Sequence, residues 1–144
     1  MLTRTKKLEC VALAALAIGL VGCRTAARSQ PVSGAMLGGK PVDAALAQRG
    51  AEVYRSKGCY TCHAIGGKNA GPDLMNIMDR RDHAWLRAWL MNTDSMISSS
   101  DPQTEAMLKE YKKVKMPTMK LNSADVDALF HYMAQESKRA EAGS

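Results

Sequence analysis

The sequence GCYTCH at residues 58–63 constrains the fold of this chain more than any other segment. It contains two cysteines three positions apart, Cys59 and Cys62, and His63 follows the second cysteine directly. On a short helical turn, residues three apart lie on nearly the same side, so both thiols can reach one flat partner. The adjoining imidazole then points toward that same partner, and the segment is therefore the first candidate for a functional site.

The spacing C-x-x-C-H is the attachment pattern of c-type haem. Cys59 and Cys62 would form thioethers with the two vinyl groups, and His63 would be the proximal iron ligand. One such motif predicts one covalently bound haem c. Two alternatives remain open. A redox dithiol needs a βαβ context that the sequence lacks, and a zinc site needs four ligands, for which only His83 and His131 remain as soft partners.

Composition fits a protein with one folded domain and a cofactor. The chain has 144 residues, of which 46% are hydrophobic and 24% charged, and these values exclude general disorder and a multi-span membrane protein. It has ten Met but one Phe, so a bound cofactor would supply flat apolar bulk that the core otherwise lacks. The net charge of +6 is too small and dispersed to indicate nucleic acid, but it suits an acidic protein partner.

The N-terminus is typical of an exported lipoprotein. Residues 1–22 combine a basic start with an apolar run at residues 11–21, which at about eleven residues is too short to span a bilayer. Residues 20–23, LVGC, resemble the lipobox of bacterial lipoproteins, and this resemblance implies a lipid on Cys23. The alternatives are an uncleaved anchor helix and an ordinary signal peptide with a stray cysteine. Residues 23–40 are then predicted to be a lipidated flexible tether.

The folded domain is predicted to be all-α and to cover residues 41–144. Apolar periodicity and capping residues indicate helices at residues 41–57, 82–92, 101–114 and 123–140, with loops at 64–78, 96–100 and 115–121. The predicted N-caps are Asp82, Asp101 and Asn122. The predicted buried residues of the third helix are Met107, Leu108 and Tyr111, and those of the fourth are Val126, Leu129, Phe130 and Met133.

A methionine is the expected sixth iron ligand, and Met116 is the best candidate. It precedes Pro117, which pushes it out of helical backbone geometry, and it lies in the loop between the last two predicted helices. Most other methionines fit helical stripes, where Met usually fills core space. Met119, three residues later, is the main alternative.

The chain resembles the class I monohaem cytochromes c. The resemblance rests on CYTCH at 59–63, GPDL at 71–74 and MPTMKLNSADVDALFHYM at 116–133, and it spans about residues 44–134. It implies the all-α cytochrome c fold, with helices packed around one haem and with Met116 as the distal ligand. A further helix expected within residues 94–114 departs from the smallest members of the family.

The resemblance also implies roles for individual residues around the haem. The Pro72 carbonyl would accept the ring N–H of His63 and so fix the imidazole. The first and last helices would cross near Tyr54 and Tyr132, and Gly50 would permit their close contact. Three further side chains would contact the haem propionates, namely Arg80, Arg81 and Trp85.

The function expected from these features is one-electron transfer, not enzymatic catalysis. The protein would be anchored by lipid on the periplasmic side of a bacterial membrane and carry electrons from a respiratory-chain donor to a terminal reductase or oxidase, with no small-molecule substrate. The alternatives are a haem subunit of a larger complex, and an open-site peroxidase or gas sensor if Met116 does not bind iron. Lysines near the site would attract an acidic redox partner; they are Lys57, Lys68, Lys109, Lys112, Lys113, Lys115 and Lys120.

Overall fold

The computed structural model describes residues 32–111 and 114–144. These residues form six α-helices, one 3₁₀ turn and a two-stranded hairpin. The predicted signal peptide at 1–22, the predicted lipidation site Cys23 and the first part of the predicted tether lie outside the described residues. Within the described part, no helix is both long enough and apolar enough to cross a bilayer.

Helices α1 (Ala44–Ser56) and α6 (Ser123–Ala142) form the central pair of the fold. The Asp43 carboxylate caps α1 by accepting the N–H groups of Ala45 and Leu46. Asn122 and Asp125 form a reciprocal capping box at the start of α6. The helices predicted at 41–57 and 123–140 are therefore confirmed, with ends shifted by a few residues.

The two helices cross at Gly50, which is buried against α6. A Cβ built on Gly50 would lie 2.1 Å from the carbonyl oxygen of Ala128 and 2.6 Å from Cβ of Tyr132, so only glycine allows this approach. Tyr54 and Tyr132 meet one turn further along, with ring centroids 5.2 Å apart. The apolar stripe predicted for α6 is buried, and it consists of Val126, Leu129, Phe130 and Met133.

Helices α2 (Ile77–Arg80) and α3 (His83–Met91) complete the core against α6. The Asp82 carboxylate accepts the N–H of Trp85 and caps α3 as predicted. Leu86 and Trp89 are buried on the face of α3. The short helix α2, which begins inside the loop predicted at 64–78, adds Ile77 and Met78 to the core.

The segment between α3 and α6 holds one helix that the sequence pattern did not predict. Helix α4 (Thr93–Ser98) covers part of the predicted loop at 96–100. Asn92 ends α3 and also caps α4, because its side chain accepts the N–H of Ser95. Thr93 is fully buried and its hydroxyl donates to the Trp89 carbonyl. Tertiary burial thus stabilises a segment whose Thr and Ser residues have weak helix propensity.

Helix α5 (Pro102–Glu110) starts at the predicted Asp101 cap but ends before residue 114. The residues predicted to be buried along it are only half-buried, and the buried side chain is instead Thr104. The reason is that Asp101 binds both the N–H and the hydroxyl of Thr104, which turns the first turn of α5 inward. The half-buried residues are Met107, Leu108 and Tyr111.

A small hairpin precedes α1 and corrects the predicted start of the folded domain at residue 41. Strand β1 (Met36–Leu37) pairs antiparallel with β2 (Lys40–Pro41) across Gly38 and Gly39, which both have positive φ. Ala35 is buried and Leu37 packs against the helical core. The later part of residues 23–40 is therefore structured, because two glycines that indicate flexibility by composition form a tight turn.

Replacing Gly50 by alanine tests the helix crossing. Because the added Cβ would meet backbone at 2.1 Å, α1 and α6 must separate, and we expect the free energy of unfolding to fall by about 3 kcal/mol. Denaturant unfolding of the haem-loaded protein measures the change. Gly143→Ala is the matched control, since its Cβ would meet nothing closer than 3.6 Å. Equal free energies of unfolding for the two variants would contradict the close contact of α1 and α6 at Gly50.

Candidate functional site

The segment with both cysteines begins where α1 ends. Gly58 has a φ of 70°, a left-handed conformation that reverses the chain after α1. A single 3₁₀ turn, Cys59–Thr61, follows, and the N–H groups of Cys62 and His63 both donate to the Cys59 carbonyl. This turn brings the two cysteines and the histidine of the motif together as predicted. Cys59 is half-buried, Cys62 is exposed and both are free thiols; burial raises the pKa of the Cys59 thiol.

The His63 ring is held in one orientation by the Pro72 carbonyl. Nδ1 lies 2.8 Å from the Pro72 oxygen, and a carbonyl oxygen only accepts, so Nδ1 carries the ring proton. Nε2 is then left with a free lone pair, which is the form of imidazole that binds a metal. The structure therefore contains the hydrogen bond that the resemblance implied, and this bond leaves Nε2 available to bind a metal.

The loop that supplies Pro72 lies directly on the imidazole. A Cβ on Gly71 would be 2.7 Å from Cε1 of His63, and the Gly71 N–H donates to the Cys62 carbonyl at 2.7 Å. Asp73 secures the same loop, because its Oδ1 accepts the N–H groups of Gly66 and Met75, each at 2.8 Å. Burial alone would raise the Asp73 pKa, but these two N–H groups hold it below the usual value.

Tyr54 connects the site to the helix crossing. Its hydroxyl donates to the His63 carbonyl at 2.9 Å. Burial raises the pKa of Tyr54 to about 12, with smaller contributions from Tyr132 and Cys59. The phenol therefore stays protonated and remains a donor at any physiological pH.

The loop that contains Met116, residues 115–121, is held by three residues from other parts of the chain. The Trp89 indole N–H donates to the Met116 sulfur, with 3.3 Å between Nε1 and Sδ. The Thr118 hydroxyl donates to the Asp94 carboxylate at 2.9 Å, while the Asp94 N–H donates back to the same hydroxyl. The Lys57 ammonium donates to the Met119 carbonyl at 3.1 Å. These contacts link the loop to the end of α1, to α3 and to α4.

Met116 and Met119 differ in their surroundings. Met119 packs on the hydrophobic core as an ordinary apolar side chain. The sulfur of Met116 instead takes part in a polar contact with Trp89. Because a thioether sulfur has a second lone pair, Met116 can accept this hydrogen bond and still bind a metal. The structure thus favours the first of the two candidates for the sixth ligand.

The three residues expected at the propionates all have partners within the protein. Arg80 donates to the carbonyls of Asp73 and Met75, and so fastens the loop that carries Pro72. Arg81 donates to Gln103 and lies over the Trp85 ring, 5.7 Å from its centroid. The single N–H of Trp85 donates to the Asp101 carboxylate at 2.9 Å. Contact of these side chains with propionates stays a prediction.

The two remaining histidines have local structural roles. His83 donates from Nε2 to the Met78 carbonyl at 2.8 Å, and Nδ1 of His131 accepts the Asp43 N–H at 3.0 Å. Sequence reasoning missed the contacts made by Trp89, Asp94 and Lys57. No local signal reveals them, because each joins residues more than twenty positions apart.

The donor set fits one covalently attached haem. Two free thiols lie on one turn, the adjoining imidazole has its Nε2 lone pair free, and a thioether sulfur is held by a loop from the other end of the chain. These are the groups that form two thioether links and a His/Met ligand pair in c-type haem proteins.

Comparison with known proteins agrees with this chemistry. The sequence model of the family "Cytochrome c" matches residues 47–137. A cytochrome c from Rhodothermus marinus is 28% identical, with a TM-score of 0.63, over 76% of this chain and 91% of that chain. The cytochrome c domain of a Pseudomonas putida protein is 33% identical, with a TM-score of 0.59, over 65% of this chain and 92% of that domain.

Among curated proteins, no sequence matched at a significant level. The family model nevertheless covers well over half of the chain and includes both cysteines, His63 and Met116. The helical fold agrees with the solved cytochromes c. The haem attachment motif, the oriented imidazole and the family match lead to one conclusion: the chain belongs to the class I cytochromes c, whose cofactor is one covalently attached haem c and whose general role is electron transfer.

Proposed function

We propose that this protein is a monohaem electron carrier with His63 and Met116 as the two axial iron ligands. The observation that carries the proposal is the hydrogen bond from Nδ1 of His63 to the Pro72 carbonyl, beside two free thiols. When bound, haem c supplies a centre that gains or loses one electron at a time. The residues of this chain fix the geometry of that centre and limit its rearrangement.

Each proposed ligand is held by contacts with protein groups that are not themselves oxidised or reduced. Pro72 and Tyr54 bind the ring and the backbone of His63, at 2.8 and 2.9 Å respectively. Asp94 and Lys57 bind the loop of Met116. We expect the same contacts to form in both redox states, so that little of the protein rearranges on electron transfer. A site with both axial positions filled also leaves no open position for a substrate, which supports a carrier rather than an enzyme.

Replacing each candidate methionine by leucine tests the axial ligand. Oxidised haem iron with a methionine ligand absorbs weakly at about 695 nm. We therefore expect Met116→Leu to abolish this absorption and to let the reduced protein bind CO. The matched variant Met119→Leu should retain the absorption, since Met119 packs on the core. Loss of the band only in the Met119 variant would transfer the ligand role to Met119.

Mass spectrometry provides the control for this comparison. The wild type and both variants should each carry about 616 Da of added haem, because the thioether links to Cys59 and Cys62 do not depend on the sixth ligand. A spectral change with the added mass intact then reports ligation rather than loss of haem. Wild type that has haem but lacks the 695 nm absorption would instead support an open-site peroxidase or gas sensor.

We also propose that the protein is a lipoprotein on the periplasmic side of a bacterial membrane. The support is the sequence LVGC at residues 20–23 after a basic and apolar leader. A lipid on Cys23 would confine the carrier to the surface on which a respiratory-chain donor and a terminal reductase or oxidase meet, either as a free carrier or as a subunit of one complex.

Membrane fractionation tests the lipid anchor. Because acyl chains on Cys23 provide the proposed attachment, Cys23→Ser should move most of the haem protein from the membrane to the soluble periplasmic fraction. Cys10→Ser is the matched control, since Cys10 lies within the leader and should be removed with it. An unchanged distribution of a Cys23 variant whose leader has been removed, as checked by its mass, would contradict lipidation. Copurification of the wild type with a larger complex would indicate a subunit.

We further propose that the donor or acceptor presents an acidic docking surface. Lys68, Lys115 and Lys120 are exposed on the two loops that carry the ligands, and Tyr60 between the cysteines is 58% exposed. Lys57 has a second role, because its ammonium also binds the Met116 loop. Exposed lysines on these loops, with an exposed aromatic ring beside the attachment cysteines, suit transient binding of an acidic partner.

The salt dependence of electron transfer tests the docking surface. Because about 1 M salt shortens the screening length to about 3 Å, the bimolecular rate with an acidic redox partner should fall steeply as salt is added. Lys115→Gln should lower both the rate at low salt and this dependence. Lys138→Gln, on α6 and paired with Glu141, is the control that should change neither. A rate independent of ionic strength would exclude electrostatic docking.

A further inference from the structure

Trp89 is a buried residue whose indole N–H contacts the proposed distal ligand. Its side chain is 6% exposed on α3, and its indole N–H, a donor only, points at the Met116 sulfur with Nε1 and Sδ 3.3 Å apart. A buried indole usually finds a hydrogen-bond partner, but a thioether is a weak acceptor and an uncommon choice. The contact joins a residue of α3 to the candidate distal ligand, 27 positions away in sequence.

The Trp89 ring is held in place by its neighbours. It stacks on Trp85 with centroids 5.6 Å apart and planes within 8° of parallel. Trp85 is fixed in turn by its N–H bond to Asp101, the cap residue of α5. The backbone of Trp89 is also held, because the buried Thr93 hydroxyl donates to its carbonyl. The helices between α3 and α6 therefore brace the indole so that its N–H keeps one direction.

Met116, which accepts this hydrogen bond, lies in a loop that is held by a residue close to Trp89 in sequence. Asp94, at the start of α4, exchanges two hydrogen bonds with Thr118, which lies two residues after Met116. Donor and acceptor are thus both tied to the junction of α3 and α4. This arrangement fixes the distance between Trp89 and Met116 more firmly than a single contact between a helix and a loop would.

We propose that Trp89 is a positioning residue that directs the Met116 sulfur toward the iron and raises the reduction potential of the haem. The inference rests on the proposed function, in which Met116 is the distal ligand. An N–H bond to the second lone pair of sulfur withdraws electron density from it. Ferric iron depends more on donation from its ligands than ferrous iron does, so the bond favours the reduced state.

Trp89→Phe tests the proposal in the haem-loaded protein. With the N–H removed, we expect the ratio of reduced to oxidised protein at a fixed solution potential to fall by about threefold. The effect is modest because the net free energy of one hydrogen bond is small, and only part of that free energy differs between the oxidised and reduced states. At about 59 mV per tenfold change, this is a fall of about 28 mV in reduction potential. The 695 nm absorption should persist in the variant with a shifted maximum.

Leu86→Ala is the matched control. Leu86 is as deeply buried on α3 as Trp89, and its truncation removes packing volume but no N–H. We expect its potential to change by less than half as much as that of Trp89→Phe. Equal shifts in the two variants, or a rise in potential in Trp89→Phe, would overturn the proposal, because either result would assign the effect to packing.

An isosteric analogue covers the case in which Trp89→Phe does not fold. The chain has two tryptophans, so in the Trp85→Phe background an analogue supplied in place of tryptophan enters position 89 alone. β-(3-Benzothienyl)alanine retains the bicyclic shape and has sulfur in place of the N–H. A threefold fall in the ratio of reduced to oxidised protein, relative to the Trp85→Phe parent, would support the proposal. An unchanged reduction potential would overturn it.

The spectrum of the wild type separates this inference from the proposed function. If the oxidised wild type lacks the 695 nm absorption, Met116 is not the ligand and the proposed ligation fails. If the absorption is present and removal of the Trp89 N–H leaves the potential unchanged, only the role assigned to Trp89 fails.

Discussion

The structure depends on the close contact of two helices at Gly50. The carbonyl of Ala128 comes so near that a Cβ at position 50 would overlap it, and this contact sets the angle and distance between α1 and α6. One turn later Tyr54 packs on Tyr132 and donates to the His63 carbonyl. The helix crossing is therefore connected through Tyr54 to the backbone of His63, the proposed proximal ligand.

The two sides of the site are built from different ranges of the chain. On the proximal side, the thiols, the imidazole and its Pro72 partner lie within fourteen residues, and short hydrogen bonds hold them together. On the distal side, Met116 depends on Trp89, Asp94 and Lys57, which come from three different helices or their ends. The proximal half is thus a local structure, whereas the distal half requires the packed fold.

The segment between α3 and α6 supports the proposed distal ligand, Met116. Helix α5 is capped by Asp101, which also binds the N–H of Trp85, and α4 begins at the buried Thr93 beside Asp94. Asp94 on α4 binds the Met116 loop directly through Thr118. The cap of α5 acts indirectly, because Asp101 holds Trp85 and Trp85 stacks on Trp89, whose N–H donates to the Met116 sulfur. The segment expected to depart from the smallest cytochromes c therefore helps to hold the candidate distal ligand in this chain.

The sequence by itself determined the features that depend on interactions between residues close together in the chain. The motif at 59–63, the caps at Asp82, Asp101 and Asn122, and the apolar stripe of α6 all act within a turn or two of helix, so residue spacing was enough to predict them. Only the tertiary structure decided the hairpin before α1, helix α4, the inward turn at Thr104 and the partners of Met116. Each of these depends on burial against residues far away in sequence, and a local pattern contains no information about such contacts.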